Sequence, residues 1–490
     1  MARKEKGKVR VRIAPSPTGY LHLGTGRTAL FNWLYAKHHE SEFILRIEDT
    51  DRERSEKKYE DDIFSGLAWL GLDYDEGPLP DGGDKGPHAP YRQSQRTSLY
   101  RQHLESMLLA GSAYYCFCKK DELDTERQSL EAQGLAPVYS GRCRSLSQAE
   151  AVTRLANGES AVIRCKVPNQ KLVFEDLIRG KIEFDLKLIG DIVIAKNLEN
   201  PLYNFAVVVD DASMLITHVI RGEDHIANTP KQIVIQQALG LPKVHYAHLP
   251  LILDPDRSKM SKRYSAVAVS SYRKEGYLPE AIMNFMALLG WHPEGDKELM
   301  PLNELIAEFD LGRIQKAGAV FNAEKLDWMN GQYLRKLSDR EILQKIKTIS
   351  DQSEKKNKLT EAQELKIVNL LKSRLKKLSE FSELTGFFYE LPSYNSELLL
   401  WKEMSSKETR DVLRIIISSV EKMDQEINKS SAEQALAPIV AQWGRGEVLW
   451  PLRAALSGEK SSPGPYEIME VLGKTETLNR LQKAVEKITS

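Results

Sequence analysis

The segment VRVRIAPSPTGYLHLGTGRTALFNWLYAKHH, residues 9 to 39, constrains this chain most, because strand, Pro/Gly loop and helix follow one another with almost nothing between. Leu30, Trp33, Leu34 and Lys37 set a helical period after the loop. Two prolines stiffen the turn, while Gly19, Gly24 and Gly26 let a ligand approach the backbone. The helix N-terminus beyond offers unpaired N–H groups to phosphate, and His22 is placed to donate to a phosphate oxygen. By itself such a loop fits a plain tight turn equally well. A second strand, EFILRIEDTD, has a nearly continuous apolar run from Phe43 to Ile47 and acids at its carboxyl end, as expected of a parallel strand covered on both faces. The opening is therefore α/β.

Further along, GPLPDGGDKGPHAP (residues 77 to 90) predicts a surface loop, and helical periodicity returns over Ser98 to Ala110. From Tyr115 to Asn200 the texture changes to a cysteine cluster, a polar helix and short strands such as AVIRCKVP and KLVFEDLIRGKIEF, which predicts an insertion. YNFAVVVDD and LITHVIRGEDH predict two more strands, and Thr229-Pro230 opens the helix KQIVIQQALG. After Tyr333 charged amphipathic helices dominate. Lys366 to Phe381 predicts one such helix, with Ile367, Leu370, Leu371, Leu375 and Leu378 on its apolar face.

The 490 residues suffice for about three or four domains, with 41% hydrophobic content to bury. Sixty-nine basic residues balance sixty-nine acidic ones, so any nucleic-acid surface must be a local patch. The basic N-terminus lacks an apolar core, and no run reaches the ~18 apolar residues of a membrane span. A cytoplasmic protein without a membrane partner is the expectation. Four cysteines, three of them (Cys116, Cys118, Cys143) within 28 residues, are too few and too local for a disulfide framework and point to metal. Three thiolates at this spacing suit tetrahedral Zn²⁺, with a reduced, metal-free trio as the alternative. Cys165 alternates with Ile163 and Val167 and reads as core.

A second candidate for phosphate chemistry is DRSKMSKRYSAV, residues 256 to 267, where Lys259, Lys262 and Arg263 flank Ser261. Paired cations on a loop suit a leaving pyrophosphate, although a basic loop is often only a solvated one.

Together the two segments resemble the HIGH and KMSKS signatures of class I aminoacyl-tRNA synthetases. APSPTGYLHLG, RIEDTD, HVIRGEDH and KMSKR, with FNAEKLDWMNGQY and PLRAALSG downstream, resemble the bacterial glutamyl-tRNA synthetases over nearly the whole chain. Thr25 stands where the first signature ends in His, a departure those enzymes share. The resemblance implies a Rossmann-type catalytic domain in two halves (1–114 and 201–250), split by an α+β acceptor-binding insertion (115–200). A connecting domain with the KMSKR loop (251–333) and an all-α anticodon-binding region (334–490) would follow. It implies ATP-dependent activation of L-glutamate, with Mg²⁺, and transfer to the 3′ end of tRNA(Glu), by a monomer. ATP would meet His22, Gly24, Thr25, Lys259, Ser261 and Lys262, with His22, Lys259 and Lys262 catalytic. Arg12 and Arg221 would read substrate carboxylates, Glu48 the ammonium, and Ser16 and Tyr203 would add hydrogen bonds. Some members carry an amide four residues after that tyrosine; Val207 stands here, and no contact is carried over. Tyr139 would close the zinc site, and Arg374 would read the third anticodon base. Rival readings are a fragment that glutamylates a tRNA base, a glutaminyl enzyme, a nucleotidylyltransferase without an RNA partner, and a non-catalytic RNA-binding paralogue. The long helical tail argues against the first two, and an intact His22, Lys259 and Lys262 against the last.

Overall fold

The computed structural model describes residues 8–51, 53–258, 260, 268–349 and 359–489. The chain divides into two compact units, residues 1–272 with 279–323, and residues 273–278 with 324–490. Lys259, Ser261 and Lys262 lie outside the described residues.

In the first unit, β1 (Arg10–Ile13) leads through the Pro/Gly loop into α1 (Leu23–His38) and returns as β2 (Glu42–Leu45), parallel to β1 with Arg10 opposite Glu42. Helix α2 (Lys57–Trp69) follows, then a short hairpin, β3 (Gly77–Pro78) with β4 (Asp84–Lys85), inside the expected surface loop. Helix α3 (Thr97–Leu109) matches the periodicity read there. Next come β5 (Ala113–Cys116), α4 (Lys120–Ala132), α5 (Gln148–Ala156), β6 (Val162–Cys165), the hairpin β7 (Lys171–Asp176) and β8 (Gly180–Asp185), then β9 (Ile192–Asn197) and β10 (Asn200–Pro201). Four of these form one sheet in the order β10-β9-β6-β5.

Helix α6 (Tyr203–Ser213) comes where a strand was expected. Its run Phe205-Ala206-Val207-Val208-Val209 is buried throughout. Such a run cannot be told from a fully covered strand by periodicity, and the β-branched residues tipped the reading the wrong way. The chain then forms β11 (His218–Gly222), α7 (Thr229–Ala238) with Pro in its first turn, and β12 (His245–Leu249), which pairs parallel to β11. Thr217 N–H donates to Arg10 C=O at 2.9 Å and sets the start of β11 beside β1. On the other side β12 meets β7, Tyr246 opposite Asp176, so the β7–β8 hairpin extends the parallel sheet.

The second unit is helical among its described residues, from Ala323–Lys336 to Pro465–Thr489, which is kinked at Gly473 (φ 73°). The single helix expected over Lys366 to Phe381 is in fact two, Glu361–Leu371 and Glu380–Tyr389. Side chains take up the backbone groups that the interruption frees. Asn330 donates to Lys376 C=O (2.6 Å), Arg335 to Ser373 C=O (2.9 Å), and Glu380 accepts from the Lys376 N–H (2.8 Å). Ile367, Leu371, Leu375 and Leu378 are nonetheless buried, so the apolar pattern holds while the helix does not. Among the described residues no helix is long and apolar enough to cross a membrane.

Candidate active site

A cavity of about 740 Å³ opens at the carboxyl ends of β1 and β11. Open parallel α/β sheets bind ligands at this end of their strands. Arg12, Ser16, Glu48, Tyr203 and Arg221 all line it, together with His22, Gly24 and Thr25. Every residue expected at the small-molecule site that lies within the described residues thus faces one space.

The loop after β1 is held in register by Glu48, whose N–H donates to Pro15 C=O at 3.0 Å. At its far end His22 caps α1: its Nδ1 accepts from the Thr25 N–H at 3.2 Å, and Nε2 lies 3.0 Å from Thr25 Oγ1. Accepting at Nδ1 leaves the proton of a neutral ring on Nε2, the nitrogen that can donate to an anion. A Cβ on Gly24 would come within 3.1 Å of that ring, which would have to shift to admit it.

Two buried arginine systems flank the cavity. Arg12 is 4% exposed, embedded in β1, and its Nε donates to Asp211 Oδ1 at 3.1 Å. Arg46 donates to Asp211 at 2.7 Å and to Glu48 at 3.2 Å, and Asp210 on the same helix accepts from Arg96, Tyr100 and Gln93. Burial opposes ionisation of Asp211, but Arg12 and Arg46 outweigh it and hold the carboxyl below its usual range. For Glu48 the balance reverses: burial pushes its pKa up despite Arg46 and Arg12. Arg221 donates from Nη2 to Thr229 Oγ1 (2.8 Å) and from Nε to His248 Nε2 (3.3 Å), and burial lowers its pKa. Tyr203 OH lies 3.2 Å from His225 Nδ1, and burial followed by Arg221 pushes that histidine down to about 4.

Sequence reasoning missed Asp211, Arg46, Arg27, His225 and the Asp176–His248 pair. Arg46 had a usable signal, since it stands two residues before Glu48 and period two puts both on one face. Arg27 is anchored on the carbonyls of Leu289 (3.0 Å) and Pro250, and burial lowers its pKa to about 10. Val207 is buried within α6.

The cysteine cluster is a separate feature. The Cys116, Cys118 and Cys143 sulfurs all lie within 4.8 Å of one another, and Cys118 Sγ is 3.7 Å from Cys143 Sγ. Tetrahedral thiolates about 2.3 Å from Zn²⁺ stand roughly 3.8 Å apart, so the donor set fits such an ion. Tyr139 OH lies 3.4 Å from both Cys116 and Cys118 Sγ. Cys165 is buried in the hydrophobic core, as its strand position implied. In the second unit Arg374 is exposed, in the turn after the helix Glu361–Leu371.

The family described as tRNA synthetases class I (E and Q), catalytic domain, matches residues 8–328, and the anticodon binding domain family matches residues 324–485. A glutamate–tRNA ligase from Sulfurihydrogenibium sp. (strain YO3AOP1) is 43% identical over 97% of this chain and 99% of its own length. One from Natranaerobius thermophilus is 42% identical over 99% of each. Among solved structures, a glutamate tRNA ligase from Elizabethkingia meningosepticum in complex with its amino acid superposes with a TM-score of 0.89 at 37% identity, covering 98% of this chain and 100% of that one.

The chain belongs to the class I tRNA synthetases for glutamate and glutamine, with the class I catalytic fold followed by a helical anticodon-binding domain. Within that family it stands with the bacterial-type glutamate–tRNA ligases, class I aminoacyl-tRNA ligases that esterify glutamate to tRNA.

Proposed function

We propose that the cavity between β1, α1 and β11 holds glutamate and ATP together, and that the chain activates glutamate as its adenylate before transferring it to the terminal adenosine of tRNA(Glu). The observation that carries this reading is the convergence of Arg12, Glu48 and Arg221 with His22 and Gly24 on one space. Glutamate presents two carboxylates and an ammonium, which call for fixed guanidinium groups and an acidic acceptor. Arg12 and Arg221 supply the first, Glu48 the second, and Ser16 and Tyr203 add hydrogen bonds. The α-carboxylate attacks the α-phosphorus of ATP, and pyrophosphate leaves. His22, Thr25 and the backbone at Gly24 meet the phosphates, while Lys259, Ser261 and Lys262 hold the β,γ end, with Mg²⁺ accompanying the nucleotide. Transfer to the ribose hydroxyl then rests on positioning, without a covalent enzyme intermediate.

Residues 115–200 receive the acceptor end and carry a structural Zn²⁺ on Cys116, Cys118, Tyr139 and Cys143. Residues 1–114 and 201–250 form the catalytic halves, 251–333 the connecting domain, and 334–490 the anticodon-binding region with Arg374. We infer a cytoplasmic monomer. The test is tRNA-dependent exchange of pyrophosphate into ATP. Lys262→Ala is expected to lower turnover by more than about tenfold with a smaller effect on glutamate binding, because its charge acts on the developing pyrophosphate. Near-normal exchange in that variant would overturn the assignment of the loop.

A further inference from the structure

Arg221 sits at the inner end of a hydrogen-bonded chain that begins in the β7–β8 hairpin. Asp176, the last residue of β7, accepts at Oδ1 from the backbone N–H groups of Ile178 (3.0 Å) and Arg179 (2.9 Å), and its Oδ2 lies 2.6 Å from His248 Nδ1. A carboxylate held this way obliges Nδ1 to carry the proton, which leaves Nε2 of the neutral ring with a lone pair. That lone pair faces Arg221 Nε at 3.3 Å and Thr229 Oγ1 at 3.1 Å. Thr229 Oγ1 accepts in turn from Arg221 Nη2, so two guanidinium nitrogens are fixed. The third, Nη1, is buried and has no hydrogen-bond partner among the described residues. All three members of the chain, Asp176, His248 and Arg221, are almost fully buried.

A buried donor with no partner is costly, whereas a guanidinium pinned at two corners presents the third to a ligand in a set direction. We propose that Asp176 and His248 are positioning residues for Arg221, aligning its Nη1 on a substrate carboxylate and so setting the preference for glutamate over its amide. Asp176 reaches this place because β7 pairs with β12, Tyr246 opposite Asp176. Part of the amino-acid pocket is thereby built by the segment 115–200, and its selectivity depends on how that hairpin is seated. The inference rests on the reading of Arg221 as a carboxylate ligand.

Two substitutions at one position separate positioning from bulk stability. His248→Asn keeps a donor near Nδ1 for Asp176 but removes the acceptor facing Arg221, while His248→Gln keeps an acceptor near the place of Nε2. In tRNA-saturated pyrophosphate exchange by the full-length enzyme, His248→Asn is expected to raise the KM for glutamate about tenfold or more, with the KM for ATP unchanged. His248→Gln should recover most of that loss, and discrimination against glutamine should weaken in step with the glutamate KM. Equal effects of the two variants, an unchanged glutamate KM in His248→Asn, or a parallel rise in the KM for ATP would each overturn the proposal. Arg221→Ala serves as the control on its premise. If that variant keeps the wild-type glutamate KM, the carboxylate reading of Arg221 falls and this inference with it. A raised KM there with none in His248→Asn removes the positioning role alone.

Discussion

Arg12 and Asp211 meet across 199 residues of sequence, the Nε of one 3.1 Å from the Oδ1 of the other. The contact joins β1 to α6, which also carries Tyr203 at its first turn. Eight residues of helix span about 12 Å, where a strand would span about 26 Å, so the helix brings Tyr203 to the cavity while Asp211, towards its other end, holds the Arg12 that lines it. Asp211 also takes a hydrogen bond from Arg46, which it shares with Glu48 and Asp210.

Replacing that carboxylate therefore has two consequences. Asp211→Asn keeps the shape but takes from Arg12 its carboxylate partner, while Arg46 keeps Glu48 and Asp210; removing one partner of a buried pair costs about 3–5 kcal/mol. The urea midpoint should fall accordingly, and the glutamate KM should rise more than the ATP KM because Arg12 is released. An unchanged midpoint would show that the pair adds nothing to stability.

Acid should destabilise the fold in a defined window. Burial lowers the pKa of His103, His218, His225 and His248, taking His218 and His225 down to about 4. Unfolded histidine titrates near 6.5, so between about pH 6.5 and 4 the unfolded chain binds more protons and stability drops as pH falls. Glu48 and Glu459, whose pKa values burial raises, work in the opposite sense but are two groups against four. Unfolding free energy measured at constant ionic strength should be level between about pH 7 and 8 and decline from about pH 6.5 downward. His218→Gln should reduce that decline, and a profile identical to wild type would exclude His218 from it.

Much of this site was legible in the sequence, and the part that was not has a common cause. Arg12, Glu48 and Arg221 stand in short words whose local order is itself the signal, and the structure brings all three to one cavity. Local periodicity failed at Tyr203–Ser213, where an all-apolar valine run fits a buried strand or a buried helix. With the helix went Asp211, whose role appears only when α6 is laid against β1. The break after Leu371 was equally hidden, because Asn330 and Arg335, side chains some forty residues upstream, satisfy the turn. Asp176 and His248, 72 residues apart, belong to the same class of contact made by topology rather than by neighbours in sequence.

The cysteine cluster predicts one bound zinc ion per chain, readable by elemental analysis of protein purified without chelator. Chelation should loosen the segment 115–200 and weaken acceptor-end docking before global unfolding, since the cluster sits on β5 and the loops around it. Tyr139→Phe should release the metal to a weaker chelator than wild type needs, because a phenyl ring offers no fourth donor. A metal content of zero in the wild type would return the three thiols to the reduced, metal-free reading.

Anticodon reading is the last point at which chemistry separates two roles for one side chain. Arg374 lies in the turn between Glu361–Leu371 and Glu380–Tyr389, exposed and near enough to Glu467 to favour its charged form, while Lys372 pairs with Asp339 at 3.3 Å and Lys377 with Glu275 at 2.7 Å. A turn after a helix presents a long side chain with fewer restraints than a helix face does. The planar fork of arginine can hydrogen-bond a base edge while stacking, which lysine cannot do. A base-reading contact is worth roughly 1–3 kcal/mol and changes discrimination, whereas a phosphate contact weakens all tRNAs alike and flattens the salt dependence. Arg374→Gln is therefore expected to narrow the preference for glutamate tRNA over glutamine tRNA by about tenfold, leaving tRNA-saturated activation of glutamate nearly intact. Equal losses for both tRNAs with a shallower salt slope would make Arg374 a phosphate contact, and an unchanged ratio of charging efficiencies at fixed salt would leave it as solvated charge.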